Sequence, residues 1–189
     1  VIDALSFNSL LTVVPYGLVL LVLGCGVQPQ VSPVLGPAHE HSTAGTFLDV
    51  PFVLQSQKND CGPAALASIL AYGNHAIPLK TITSEVYMPA LGRTLLPDME
   101  NYARSLGLRP VTGSGDLDLL RQRIDADTPV VLLLDMGRML TSRGHYVVLV
   151  GYAAGGFLIH SGTEAYQFMA TDALKQRWSR MNNLYLYLE

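Results

Sequence analysis

Apolar and polar positions change period several times along this 189-residue chain, and each change predicts an element. "LDVPFVLQ" (residues 48–55) has the β-branched, alternating look of a short strand. From Cys61 to Tyr72 the chain is apolar and alanine-rich, which predicts a helix closed by Gly73 and Asn74. "PLKTITSEVYM" (78–88) predicts a second helix, ended by Pro89 and Gly92. In "LLPDMENYARSLG", Leu96, Met99, Tyr102, Ala103 and Leu106 share one helical face, and Gly107 ends the run. "LRPVTG" is a short strand, "DLDLLRQRIDAD" a helix capped by Asp116, and "PVVLLLDM" a buried strand. "HYVVLVGY" and "GFLIHSG" flank "AAGG", a hairpin signal. The chain closes with the helix "ATDALKQRWSRM" and the alternating strand "LYLYL". Helices come early and antiparallel strands late, the order of an α+β domain.

The N-terminal region follows none of these patterns. No Lys or Arg precedes Lys58, and "LLTVVPYGLVLLVLGCG" (10–26) is almost wholly apolar. Interrupted by Pro15, it is short for a membrane span, which needs about 20 residues, and better suits the hydrophobic part of a signal peptide. Its end, "VLGCG", resembles the lipobox of bacterial lipoproteins, which implies lipidation of Cys25. "VIDALSFNS" departs from that pattern by carrying no positive charge. The Pro-, Gly-, Ser- and Gln-rich stretch that follows predicts a tether on the order of 60 Å when extended. The expected organisation is a signal peptide over 1–24, a tether over 25–46 and one folded domain over 47–189.

Composition excludes several functions. A net charge of −3 with no basic run argues against nucleic acid as a partner. Two cysteines, Cys25 and Cys61, build neither a disulfide framework nor a four-cysteine zinc site. "HEH" (39–41) lacks a third ligand nearby and is expected to be solvated, and "AAGGF" has no helix after it to make a phosphate loop. No cofactor or metal is expected.

Cys61 and His145 are the candidate chemistry. A helix start favours a thiolate through its unpaired N–H groups, and Pro63 suits a first helical turn. A free cysteine is, however, most often a small buried hydrophobe. His145 heads an apolar strand after Gly144 and is placed to project from the strand end as a base from a distant part of the chain. Alone, these residues leave both readings open.

"VPFVLQSQKNDCGPAALASIL" followed by "GHYVVLVGY" and "FLIHSG" resembles the bacteriocin-processing, or double-glycine, cysteine peptidase family, over about residues 50–163. The resemblance implies a papain-like fold with the nucleophile helix packed on an antiparallel sheet. It implies Cys61 as nucleophile, His145 as general base and Gln55, six residues before the cysteine, as oxyanion donor, with Gln57 as competitor. The family's orienting Asp falls on Ser161, which brings a hydroxyl but no charge. Ser161, a backbone carbonyl, or Asp135 from another strand is left to steer the histidine. "HSG" also resembles lipoprotein-like members that keep the cysteine and histidine. His160, one residue off register, is expected on the opposite sheet face as a structural residue.

The expected function is a cysteine peptidase cleaving peptide bonds of exported or secreted proteins through a Cys61 thiolate and His145 with an acyl-enzyme intermediate, lipid-anchored at the cell envelope and facing the periplasm, with the outer membrane preferred. Two alternatives use the same fold: an inactive domain that binds secretion cargo, and an acyl transferase.

Overall fold

The computed structural model describes residues 45–57, 59–138 and 141–189. The expected signal peptide, Cys25, "HEH" and all but the end of the tether lie outside the described residues. The description opens on β1 (Thr46–Phe47), which pairs with Tyr152 and Gly151. Residues 48–55, read from the sequence as a strand, run on from β1 as an extended strap without ladder pairing. Pro51 has no N–H to give a ladder, and the strap's amides go elsewhere: Leu48 to Val150 O at 2.7 Å, and Val53 to Ser68 Oγ at 3.2 Å.

Helix α1 (Cys61–Tyr72) has the expected bounds and is buried from Gly62 to Leu70. Such a helix, apolar on all sides, belongs in the middle of a domain. Leu66, Ile69 and Leu70 each contribute about 1.5–3 kcal/mol of burial there. Asn74, at φ 62°, takes the left-handed position after Gly73. Helix α2 (Leu79–Val86) stops earlier than its pattern suggested, because Tyr87–Met88 (β2) and Arg93–Thr94 (β3) form a small hairpin. Helix α3 (Leu96–Ser105) buries Leu96, Met99 and Ala103, and Asp98 Oδ2 accepts from Leu95 N–H at 3.2 Å.

β4 (Pro110–Ser114) and α4 (Leu117–Asp125) follow, the helix capped by Asp116, whose carboxylate accepts from Leu119 N–H. Then come β5 (Val130–Asp135), β6 (Gly144–Ala153), β7 (Gly156–Ser161), β8 (Glu164–Ala170), α5 (Thr171–Ser179) and β9 (Leu184–Leu188). The last five strands and β4 pair antiparallel in the order β4-β9-β5-β6-β7-β8, and β1 joins the edge of β6 beyond β5. The hairpin at "AAGG" is β6–β7, with Gly155 at φ 81°. β8 was not anticipated. It alternates exposed and half-buried residues, so no apolar face marks it. Trp178 anchors α5, fully buried, with its indole N–H on Leu184 O at 2.8 Å. Helix α1 packs on β6, and this contact sets up the site.

Candidate active site

Cys61 is the first residue of α1, and Asp60 before it is 5 % exposed. Asp60 does not cap the helix. Its Oδ2 turns back to accept from Ser56 N–H (3.1 Å), Ser56 O–H (2.8 Å) and Gln57 N–H (2.9 Å), which folds the end of the strap against the helix start. The helix is left with its first N–H groups directed at the sulfur. Burial is the largest influence and pushes the thiol above its ordinary range, helped by the Asp60 charge, while the N–H of Tyr146 on β6 and those of Gly62 and Cys61 in the helix favour the thiolate. Gly62 is required by packing: a Cβ there would lie 2.8 Å from Thr94 Cβ. The β2–β3 hairpin therefore rests directly on the helix turn that carries Cys61.

Tyr146 directly follows His145 on β6, so the residue whose N–H faces the sulfur is the neighbour of the candidate base, while His145 and Ser161 do not line the small cavity that Cys61 shares with Tyr146 and His160. His145 stands opposite Leu134 near the start of β6 and is half-buried. Its Nε2 meets Ser161 Oγ, at the end of β7, at 3.2 Å. Burial holds the imidazole below its usual range, and the Arg143 charge adds to this. Thiol and imidazole are thus both pushed toward their neutral forms.

Asp135 has other work. It pairs opposite Gly144, one position from the Leu134–His145 pair, so alternation directs it to the other side of the sheet. Its Oδ1 accepts from Gly137 and Arg143 N–H, each at 2.9 Å, and Arg180 lies 3.8 Å from Oδ2. These amides hold the carboxyl below the ordinary range and fasten the β5–β6 loop.

Gln55 and Cys61 line one small cavity of about 20 Å³, together with Phe52, Tyr146, His160 and Gly162 among others. Gln55 is held by its backbone, N–H to Gly162 O at 3.2 Å, and by its amide, Nε2–H to Gln57 O at 2.7 Å. Gln57 supplies that carbonyl and lies outside the cavity lining. Gly162 takes the left-handed conformation at φ 61°, which favours glycine, and lies beside the Gln55 amide oxygen. His160 does face away from Ser161, but the face it points to is the one against α1, so it lines the cavity beside Cys61. No group of three or more metal-ligating side chains occurs among the described residues.

The peptidase C39 family model matches residues 49–185, which takes in the strap, α1 and the whole sheet site. The chain belongs to the peptidase C39 family. Among solved structures, this C39 chain is similar to a C39-like peptidase from Bacillus anthracis (TM-score 0.65, 17 % identity, covering 77 % of this chain and 98 % of that one). It is similar as well to a double-glycine-motif protease from an AMS/PCAT transporter, solved with its leader peptide (0.62, 18 %, 76 % and 94 %). A third is the peptidase domain of Streptococcus ComA, a bi-functional ABC transporter of a quorum-sensing pathway (0.61, 21 %, 72 % and 95 %). At these identities the likeness shows the papain-like fold of C39 peptidases. No curated protein matches the sequence.

Asp60, the Tyr146 amide and His160 are the parts of the site that sequence reasoning missed. A signal was present for Asp60, which directly precedes the cysteine at a helix start. None existed for the Tyr146 amide, because backbone groups carry no sequence mark.

Proposed function

We propose that this C39 chain is an active cysteine peptidase that cleaves peptide bonds of exported proteins from a lipid-anchored position at the cell envelope. The observation that carries the catalytic part is the Cys61 sulfur lying against the peptide N–H next to His145, whose Nε2 meets Ser161. With Nε2 on Ser161, Nδ1 is the nitrogen that exchanges a proton with the thiol. Cys61 Sγ attacks the scissile carbonyl as its proton passes to His145, and the carbonyl electrons move onto oxygen. The Gln55 amide and the Cys61 N–H donate to that oxyanion. Collapse breaks the C–N bond, His145 returns the proton to the leaving amine, and a thioester remains on Cys61. Water, deprotonated by His145, hydrolyses the thioester and restores the thiol.

Burial works against charge on both partners, which favours a step in which proton transfer accompanies attack and His145 acts as a general base on a thiol. Ser161 directs the ring and contributes no charge. The leader peptide seen with the transporter protease supports a flexible segment of an exported protein as substrate. The anchor is Cys25, and its support is the lipobox-like "VLGCG".

Digestion of a peptide library in H₂¹⁸O tests the reaction. New C-termini carrying ¹⁸O, absent with Cys61→Ala, are the expected result. Amine adducts without ¹⁸O would make the chain an acyl transferase, and binding with no product in any library would make it a binder. Labelling by radioactive fatty acid in cells, lost in Cys25→Ser, tests the anchor; labelling that persists in Cys25→Ser overturns it.

A further inference from the structure

We propose that His160 is a positioning residue: it clamps the strap that carries Gln55, and so sets the oxyanion donor. His160 is 3 % exposed, and both ring nitrogens are engaged. Nε2 is 3.0 Å from Val50 O, at the base of the strap, and Nδ1 is 3.1 Å from Tyr166 N. A carbonyl can only accept and an amide N–H can only donate. The ring is therefore the neutral tautomer with its proton on Nε2. Phe52 and Tyr166 pack edge-on against the ring at 5.3 and 4.7 Å, fixing its plane.

Tyr166 shows that this clamp is built in. The β7–β8 register shifts between Ile159 and Ser161, and Tyr166 stands in the bulge at φ 52°, a strained conformation for an aromatic residue. That strain turns its N–H away from the ladder and onto His160. The next two residues complete the arrangement: Ser161 meets His145, and Gly162 O receives Gln55 N–H. Between Val50 and Gln55 the strap is thus tied at both ends to the same three-residue turn. Losing the His160 end frees one side of the Gln55 support while leaving Cys61 and its helix untouched. This rests on the reading of Gln55 as oxyanion donor, and the test separates the two ideas.

Hydrogen exchange on the full chain comes first, because it needs no activity. His160→Phe keeps ring packing and removes both hydrogen bonds. Exchange over residues 50–57 is expected to speed by about 10–100-fold while α1 amides stay protected. His160→Gln, which can still donate to Val50 O, is expected to fall between. The second readout is Cys61 itself. Alkylation by iodoacetamide forms no oxyanion and should be unchanged in His160→Phe, whereas acylation by a p-nitrophenyl ester should slow by about tenfold or more, through its rate constant and not through ester binding. In a Gln55→Ala background, His160→Phe should add nothing to that loss. Unchanged strap exchange, equal acceleration across the whole sheet, or an acylation loss that persists without Gln55 overturns the proposal. If the native chain is not acylated at all, the peptidase reading fails, and strap exchange alone decides for or against the clamp.

Discussion

Ser161→Asp is the most informative substitution, because it restores the charge that the site lacks. A carboxylate would then stand where a hydroxyl now meets His145 Nε2 at 3.2 Å. Two unit charges about 4 Å apart attract by about 4 kcal/mol at an effective dielectric of 20 and about 1 kcal/mol in bulk water. His145 is half-buried, so its response lies between these limits, a rise of about 1–3 in the imidazole pKa. In the native chain, burial and Arg143 hold the imidazole low, and burial holds the thiol high. Iodoacetamide alkylation of Cys61 against pH should therefore show a midpoint above that of an ordinary thiol, about 8.5. In Ser161→Asp a second reactive population should emerge at lower pH, as imidazolium and thiolate stabilise each other.

The sign makes this a strict test. A new negative charge acting directly on Cys61 raises its pKa, and only a charge acting through His145 lowers the apparent value. With His145→Ala in the background, Ser161→Asp should shift the midpoint upward or leave it unmoved. A native thiolate already reactive near pH ~6 would refute the neutral resting pair. An upward shift in Ser161→Asp with His145 present would refute Ser161 as the group that steers the histidine.

Four further outcomes are expected. Gly62→Ala forces a Cβ to within 2.8 Å of Thr94 and should destabilise the chain by about 1–3 kcal/mol in urea titrations, with Thr94→Ala recovering part of the loss. Asp60→Ala removes one acceptor from three donors at the end of the strap; a loss of about 2–4 kcal/mol is expected, with ester acylation falling more than alkylation. His145 and His160 both have lowered folded pKa values, so the unfolded chain binds protons more readily. Stability should be full above about pH 6.5 and decline as pH falls through the folded values, a slope that urea midpoints would show flattened in His145→Ala and His160→Phe. Asp135, also lowered, adds a separate decline below about pH 3.9, absent in Asp135→Asn.

The elements that were legible in the sequence are those whose side chains carry the pattern. α1 is apolar all round and has its expected bounds, and β5, β6 and β9 are marked by β-branched or alternating residues. What stayed hidden was held by backbone groups. The strap looked like a strand because its residues suit one, yet its amides pair with a serine hydroxyl, a distant carbonyl and the 162 turn. The β2–β3 hairpin is two residues wide, too short for any period to register. Cys61, His145, Gln55 and Ser161 were named through the family resemblance, since no period in the chain marks them. Asp135 could be set aside only once its amide partners were seen.

The turn at "HSG" explains how the fold can hold a histidine without a carboxylate. Its three residues alternate in direction: His160 holds the base of the strap, Ser161 meets His145, and Gly162 O holds Gln55. A charged orienting group would stabilise an imidazolium, and here that contribution is missing. What the turn supplies is geometry, because the strap, His145 and Gln55 all register against the same short piece of chain. Rigid placement of neutral groups serves a general-base mechanism, in which the imidazole must be unprotonated when the substrate arrives. On this argument Ser161→Asp strengthens the ion pair and speeds alkylation at low pH, yet narrows the pH range in which His145 can act as a base. Peptide cleavage by the variant should therefore lose ground to the native chain near neutral pH, even as its cysteine becomes more reactive. A variant that gained in both would show that the missing charge, and not the geometry, limits this site.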